Sequence, residues 1–96
     1  MHAVVNHLEL KEPVPEETFA SSDAVAQALL DAGGLALHLV RVDETHLILV
    51  LFFASAEDAE RIARDVGGPW MREHVVPHLA GGTQRSLGEV IVSRTR

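Results

Sequence analysis

The stretch LALHLVRVDETHLILVLFFA, residues 35–54, decides the fold. It contains two apolar runs joined by the polar segment DET, which is the pattern of a β-hairpin. The second run, residues 47–53, is apolar at every position, whereas a strand with one solvated face would alternate. A chain of 96 residues has little else to cover both faces of a sheet. The sequence therefore predicts a homodimer with its sheets face to face, burying roughly 600–1,000 Å² per subunit.

Length and composition predict one domain, residues 1–96, and exclude several classes of function. No apolar run approaches the ~20 residues of a membrane helix, and no secretory signal is recognised, so a cytoplasmic protein is expected. Without cysteine there is no disulfide and no thiolate chemistry. A net charge of −6 argues against nucleic acid as a partner, because the basic group Arg85, Arg94 and Arg96 is too small to reverse it.

The remaining elements follow from periodicity and from glycine and proline positions. A strand is predicted over residues 3–10, followed by an extended connection, residues 11–20, because Pro13 and Pro15 interrupt regular structure. Ser21 or Ser22 is expected to cap a helix that Gly33 and Gly34 end.

After the hairpin, Ser55 opens a second helix, which Gly67 and Gly68 are expected to break. Pro69 starts a further short helical piece that Pro77 ends or kinks, and residues 87–93 form the last strand. The order is strand, helix, strand, strand, helix, strand. This predicts an α+β, ferredoxin-like βαββαβ domain, with a four-stranded antiparallel sheet and both helices on one face.

In this order of elements the chain resembles the dimeric α+β barrel superfamily, and within it the antibiotic-biosynthesis-monooxygenase-like group. The local likeness lies in REHVVPHLAG, residues 72–81, since family members often carry a histidine and then Pro-His at the end of the second long helix. The resemblance implies a cofactor-independent oxygenase acting on a small apolar or aromatic molecule. The group also includes haem-degrading enzymes, so haem is the alternative ligand.

The resemblance implies a catalytic set of Asn6, Trp70 and either His74 or His78, with a histidine as base. Each has a structural alternative: the histidines can lie at a helix end, Trp70 can be a core residue, and Asn6 can satisfy an edge. His74 and His78 are four residues apart, as in a helical metal pair, but a third ligand is not evident and no HExxH motif is present. No metal site is predicted.

A second candidate set lies on the strands. If the leucine-rich strand faces meet the helices, His7 and His38 point into the space between the two sheets of a dimer. With Phe52 and Glu89 they would line an apolar pocket holding a few polar groups. The alternative is that they make hydrogen bonds across the dimer interface and bind no ligand.

Two functions therefore stay open on the sequence. The first is a cofactor-free, monooxygenase-like enzyme, in which a pocket of low polarity stabilises a substrate carbanion that meets O₂ directly. The second is a non-catalytic dimeric barrel that binds a small molecule or haem.

Overall fold

The computed structural model describes residues 1–96. Four strands, three α-helices, one π-helical turn and one 3₁₀ turn follow each other along the chain. They are β1 (His2–Glu9), α1 (Glu16–Asp31), β2 (Ala36–Asp43), β3 (His46–Phe53), α2 (Ala56–Ile62), the π turn (Ala63–Gly67), α3 (Gly68–His74), the 3₁₀ turn (Val76–His78) and β4 (Gln84–Glu89). No helix combines the length and the apolar character needed to cross a bilayer.

The four strands form one antiparallel sheet in the order β2-β3-β1-β4. The first and third strands of the chain are therefore the central pair, and β4 returns beside β1. This is the predicted ferredoxin-like arrangement, and the structure confirms it. The predicted hairpin is also present, with a two-residue turn in which the Thr45 backbone N–H donates to the Asp43 carboxylate at 2.9 Å.

The leucine-rich faces of the strands meet the helices, which is the arrangement that the sequence analysis took as a condition for placing His7 and His38. The buried side chains of this face fall into two clusters. The first contains Val4, Leu29, Leu51, Phe53, Ala59 and Ile62. The second contains Leu8, Leu10, Val14, Leu47 and Val75.

Asn6 stands between the two clusters on β1. Because strand side chains alternate, Asn6 shares the helix-facing side with Val4 and Leu8. No buried apolar residue of β1 therefore bridges the gap from one cluster to the other.

The first helix begins earlier than predicted. The connection expected over residues 11–20 ends at Pro15, and α1 starts at Glu16. Proline fits this place because its fixed φ and missing N–H cost little at a helix start, and Glu16 and Glu17 complement the helix dipole. The predicted caps are wrong, since the Ser21 and Ser22 hydroxyls lie inside α1 and donate to carbonyls three residues earlier.

The second helical segment is continuous where a break was predicted. Ser55 caps it as expected, accepting a hydrogen bond from the Asp58 N–H at 3.1 Å. At Gly67 and Gly68, however, the backbone stays in the right-handed helical region and passes through the π turn into α3. Pro69 is tolerated there because it occupies the first turn of α3.

The last strand is earlier and shorter than predicted. It runs from Gln84 to Glu89 rather than over residues 87–93. The reason is the length of β1: Glu89 pairs with His2, and one further bond joins the Val90 N–H to the Met1 carbonyl. Residues 91–96 therefore have no neighbouring strand, and Ile91 and Val92 are 87% and 83% exposed.

Two adjacent glycines in the π turn region give a stability test. A Cβ on Gly68 would lie 2.7 Å from the Ala63 carbonyl oxygen, whereas a Cβ on Gly67 would meet nothing within 4 Å. We expect Gly68→Ala to lower the free energy of unfolding by about 1–3 kcal/mol, because the backbone must shift. Gly67→Ala should instead raise it by up to about 1 kcal/mol, because alanine favours helix. Urea unfolding followed by circular dichroism measures both, and equal effects would contradict the packing argument.

Candidate functional site

A cavity of about 320 Å³ lies between the helix-facing side of the sheet and the helices. Of its 26 lining residues, 18 are hydrophobic, and they come from all four strands and from the helices on both sides. This volume is at the lower end of the range for small-molecule sites, about 300–1,000 Å³. The cavity lies where the two core clusters fail to meet.

Two polar atoms in the cavity wall are buried and have no hydrogen-bond partner. They are Oδ1 of Asn6, on the central strand β1, and Nε1 of Trp70, on α3. A buried polar atom without a partner costs about 1–3 kcal/mol, so most such atoms are paired in folded proteins. One atom accepts and the other donates, so together they can bind a ligand that carries both a hydroxyl and a carbonyl or oxyanion.

The π turn helps to set the direction of Trp70. Each residue of an α-helix advances the helix by about 100°, so the wider π turn changes the phase of everything that follows it. After this turn, Trp70 and Met71 line the cavity. His74 lies one turn further on, with its ring centroid 5.4 Å from that of Trp70, and supports the indole.

The mouth of the cavity is between α3 and β4. The lining residues that are exposed to solvent all belong to this side: Arg72, Val76, Thr83 and Arg85. Arg85 is the neighbour of Asn6 in the pairing of β4 with β1. Strand β4 lies at the edge of the sheet, which leaves this side open.

The predicted catalytic residues are in different places. Asn6 and Trp70 share the cavity wall, whereas His74 lies beside the indole and is not among the lining residues. The Nε2 atom of His74 is 3.8 Å from a Glu73 carboxylate oxygen. His78 is in the 3₁₀ turn, with Nδ1 3.4 Å from Glu12 Oε1, and also lies outside the lining.

The predicted ligand-binding set is not at this cavity. His7, His38 and Phe52 alternate with the helix-facing residues and so lie on the open face of the sheet. There the His38 and Phe52 rings meet edge to face at 6.5 Å. His7 Nδ1 lies 3.5 Å from His46 Nε2, a neighbour that the sequence did not suggest. Glu89, at the exposed end of β4, pairs with His2 on the helix-facing side.

The electrostatics of the cavity come from cations. No carboxylate or imidazole is among its lining residues, whereas two arginines are. Neither arginine was predicted as a site residue, and Arg85 was missed because the last strand was expected to begin at Leu87. The signal was present, since Arg85 alternates with Leu87 on one strand face. The clear pKa shifts lie elsewhere: a hydrogen bond from Arg64 lowers the pKa of the exposed Asp65 and raises that of Arg64.

No family model and no curated protein matches this sequence. Solved structures do match. A crystal structure of an antibiotic biosynthesis monooxygenase aligns with a TM-score of 0.75 at 13% identity, covering 96% of this chain and 100% of that chain. The cofactor-independent oxygenase SnoaB from Streptomyces nogalater aligns with a TM-score of 0.75 at 12% identity, covering 96% of this chain and 94% of that chain.

A third solved structure is MhuD with two manganese protoporphyrin IX molecules bound per active site. It aligns with a TM-score of 0.68 at 20% identity over the whole of both chains. These likenesses confirm the predicted resemblance at the level of the fold. The chain has the ferredoxin-like α+β fold that antibiotic-biosynthesis-monooxygenase-like proteins share.

A substitution at Asn6 distinguishes a ligand-binding role of its unpaired amide from a structural role. Replacing it by leucine removes the buried acceptor at similar size, so we expect Asn6→Leu to raise the free energy of unfolding by about 1 kcal/mol. Val4→Ala, the next residue on the same face of β1, should lower it by about 1–3 kcal/mol, because it removes buried methyl groups from the first core cluster. Urea unfolding measures both. If Asn6→Leu destabilises the protein, the amide has a structural partner and the site loses its main support.

Proposed function

We propose that the protein is a cofactor-independent, monooxygenase-like enzyme that acts on a small aromatic molecule in the cavity. The observation that carries the proposal is the pair of unpartnered buried polar atoms, Asn6 Oδ1 and Trp70 Nε1, in a largely apolar wall. Most buried polar atoms in folded proteins are paired, and an unpaired donor and an unpaired acceptor in one cavity wall support a bound ligand. The likeness to a cofactor-independent oxygenase supports the same class of reaction.

The site favours a substrate that ionises readily. Because no carboxylate or imidazole lines the cavity, the wall offers hydrogen-bond donors and cations rather than a base. The Trp70 N–H donates to the oxygen on which the negative charge of the substrate anion is delocalised, and the Asn6 carbonyl accepts from a neighbouring substrate hydroxyl. His74 is a positioning residue in this proposal, because it contacts the indole and not the cavity.

The reaction balances without an external reductant. A substrate methylene that has lost its proton to solvent on binding is a carbanion, which transfers one electron to O₂, and the radical pair combines as a peroxide that takes the proton back from solvent. Loss of the second C–H proton together with hydroxide leaves a carbonyl and water. The substrate supplies all four electrons, one oxygen atom enters the product and the other leaves as water. The apolar wall favours this step because O₂ is itself apolar and water is excluded.

The residues present do not fit haem. Haem iron in proteins is held by histidine, cysteine, tyrosine or methionine, and no histidine, cysteine or tyrosine is among the lining residues. Met71 is the single candidate ligand, and the His74 ring lies against Trp70, with Nε2 towards Glu73. We therefore propose no reaction step through haem for this chain. Ligand binding without turnover is the alternative result of the oxygen-uptake experiment.

Oxygen uptake with 1,8-dihydroxy-9-anthrone tests the proposal, since this probe has an acidic methylene flanked by aromatic rings. We expect one O₂ consumed per quinone formed, without hydrogen peroxide. Trp70→Phe should lower kcat by about 10-fold or more, because it removes one donor to the developing oxyanion. Ser21→Ala, on the exposed side of α1, should have no effect. A tightly bound anthrone with no uptake above autoxidation would favour the non-catalytic binding protein.

The open face of the sheet supports the proposed homodimer. It carries apolar side chains from β1, β2 and β3 that no helix of this chain covers: Ala3, Val5, Ala36, Val40, Ile48, Val50 and Phe52. Such a face suits a second copy of the same sheet, and a standard interface buries about 800 Å² per partner. His7, His38 and Phe52 would then lie in the interface, as the sequence analysis expected.

A lysine at the centre of this face tests the dimer. Val50 lies on the central strand β3 opposite Val5 and His38. We expect Val50→Lys to convert a dimer into a monomer, because burying a charge without a partner costs about 3–5 kcal/mol. Ala24→Lys, on the exposed side of α1, is the matched control. Light scattering coupled to size exclusion reads the mass, and a Val50→Lys protein that stays dimeric would place the interface elsewhere.

A further inference from the structure

Two arginines flank the mouth of the cavity, and neither forms an ion pair. Arg72 on α3 and Arg85 on β4 both line the cavity and are exposed. Arg41, Arg61 and Arg64, by contrast, bind carboxylates at 3.2, 3.2 and 2.9 Å. In a chain with 14 acidic and 8 basic side chains, an arginine without a carboxylate partner at a cavity is unexpected. No acidic residue lines the cavity at all.

The backbone places both guanidinium groups at the same entrance. Arg85 neighbours Asn6 in the β1–β4 pairing, so its side chain starts beside the unpaired amide. Arg72 lies two residues after Trp70, and its Nη1 is 3.4 Å from the point that a Cβ on Gly68 would occupy. Gly68 itself lines the cavity. The two cations therefore line the same cavity as the two unpartnered polar atoms, one on each side of its mouth.

We infer that the substrate carries a carboxylate, which Arg72 and Arg85 bind at the mouth while its aromatic part fills the cavity. This inference rests on the proposed function and adds the charge of the substrate. Arginine suits the role because its planar fork of N–H donors matches the two oxygens of a carboxylate. The apolar wall excludes a charge from the interior, so the carboxylate stays at the exposed end.

Binding of 2-naphthoate against 2-naphthamide tests the inference, because the pair differs in charge and hardly in shape. Isothermal titration calorimetry gives the two Kd values. Trp70 is the sole tryptophan, so a ¹H–¹⁵N spectrum has one indole signal, which reports directly on the cavity. We expect the naphthoate to bind about tenfold more tightly than the amide and to move the indole signal. Raising NaCl from about 0.02 to 0.5 M should weaken the naphthoate and leave the amide unchanged.

The variants assign the effect to the two arginines. Arg72→Gln and Arg85→Gln should each weaken naphthoate binding by about 3- to 10-fold and leave the amide unchanged. Arg85→Lys should restore part of the loss, because it keeps the charge and loses the fork. Arg94→Gln, in the exposed C-terminal segment, removes the same charge away from the mouth and should change nothing.

The outcomes separate this inference from the proposed function. Equal Kd values for acid and amide, with a shifted indole signal, would overturn the carboxylate and keep the cavity as a site. An unmoved indole signal with both probes would overturn the inference and show that the cavity does not take aromatic molecules. Arginine-dependent naphthoate binding, without oxygen uptake on the anthrone or on the same anthrone bearing a carboxyl group, would keep the carboxylate site and remove the oxygenase.

Discussion

The structure depends on how one polar side chain interrupts a core of leucine and valine. On β1 the helix-facing residues are Val4, Asn6 and Leu8, and the outer two belong to different buried clusters. The Asn6 amide adds no apolar surface that could join the two clusters, and its Oδ1 is buried without a hydrogen-bond partner. The two clusters therefore close separately, one at each end of the sheet, and leave a cavity between them. The candidate site arises here from an incomplete core rather than from an added loop.

The helical segment over this gap is shaped by its glycines and proline. A π turn at Ala63–Gly67 keeps the segment continuous where two glycines and a proline would ordinarily end a helix. It changes the phase of α3, so that Trp70 meets the cavity and His74 stacks beside it. π turns of this kind are frequent at functional sites because they redirect side chains without ending the helix.

The hydrophobic pattern within the strands predicted more of this fold than the residues at the ends of helices and strands did. The two apolar runs in residues 35–54 identified the hairpin, and the order of the elements around it identified the fold. The limits of α1 and β4 could not be predicted in the same way. Pro15 is compatible with a loop or a helix start, and β4 ends where β1 offers no further partner. Of the predicted catalytic residues, Asn6 and Trp70 meet at one cavity. The histidines do not, since the phase of α3 depends on the π turn.

The two faces of the sheet differ in how they are covered, and the charged residues lie at one edge of the helix-facing side. The open face is apolar and offers a surface for a second copy, whereas the helix-facing side is closed except at one edge. The chain as a whole carries −6 and repels anions, yet two arginines without a carboxylate partner, Arg72 and Arg85, stand at that edge. Surface charges act over about 8 Å at physiological ionic strength, so the mouth is locally positive although the molecule is acidic. An anion that reaches the surface is therefore attracted at one point, beside the amide of Asn6. In the proposed binding mode, the apolar wall excludes the carboxylate of the ligand and contacts its aromatic part.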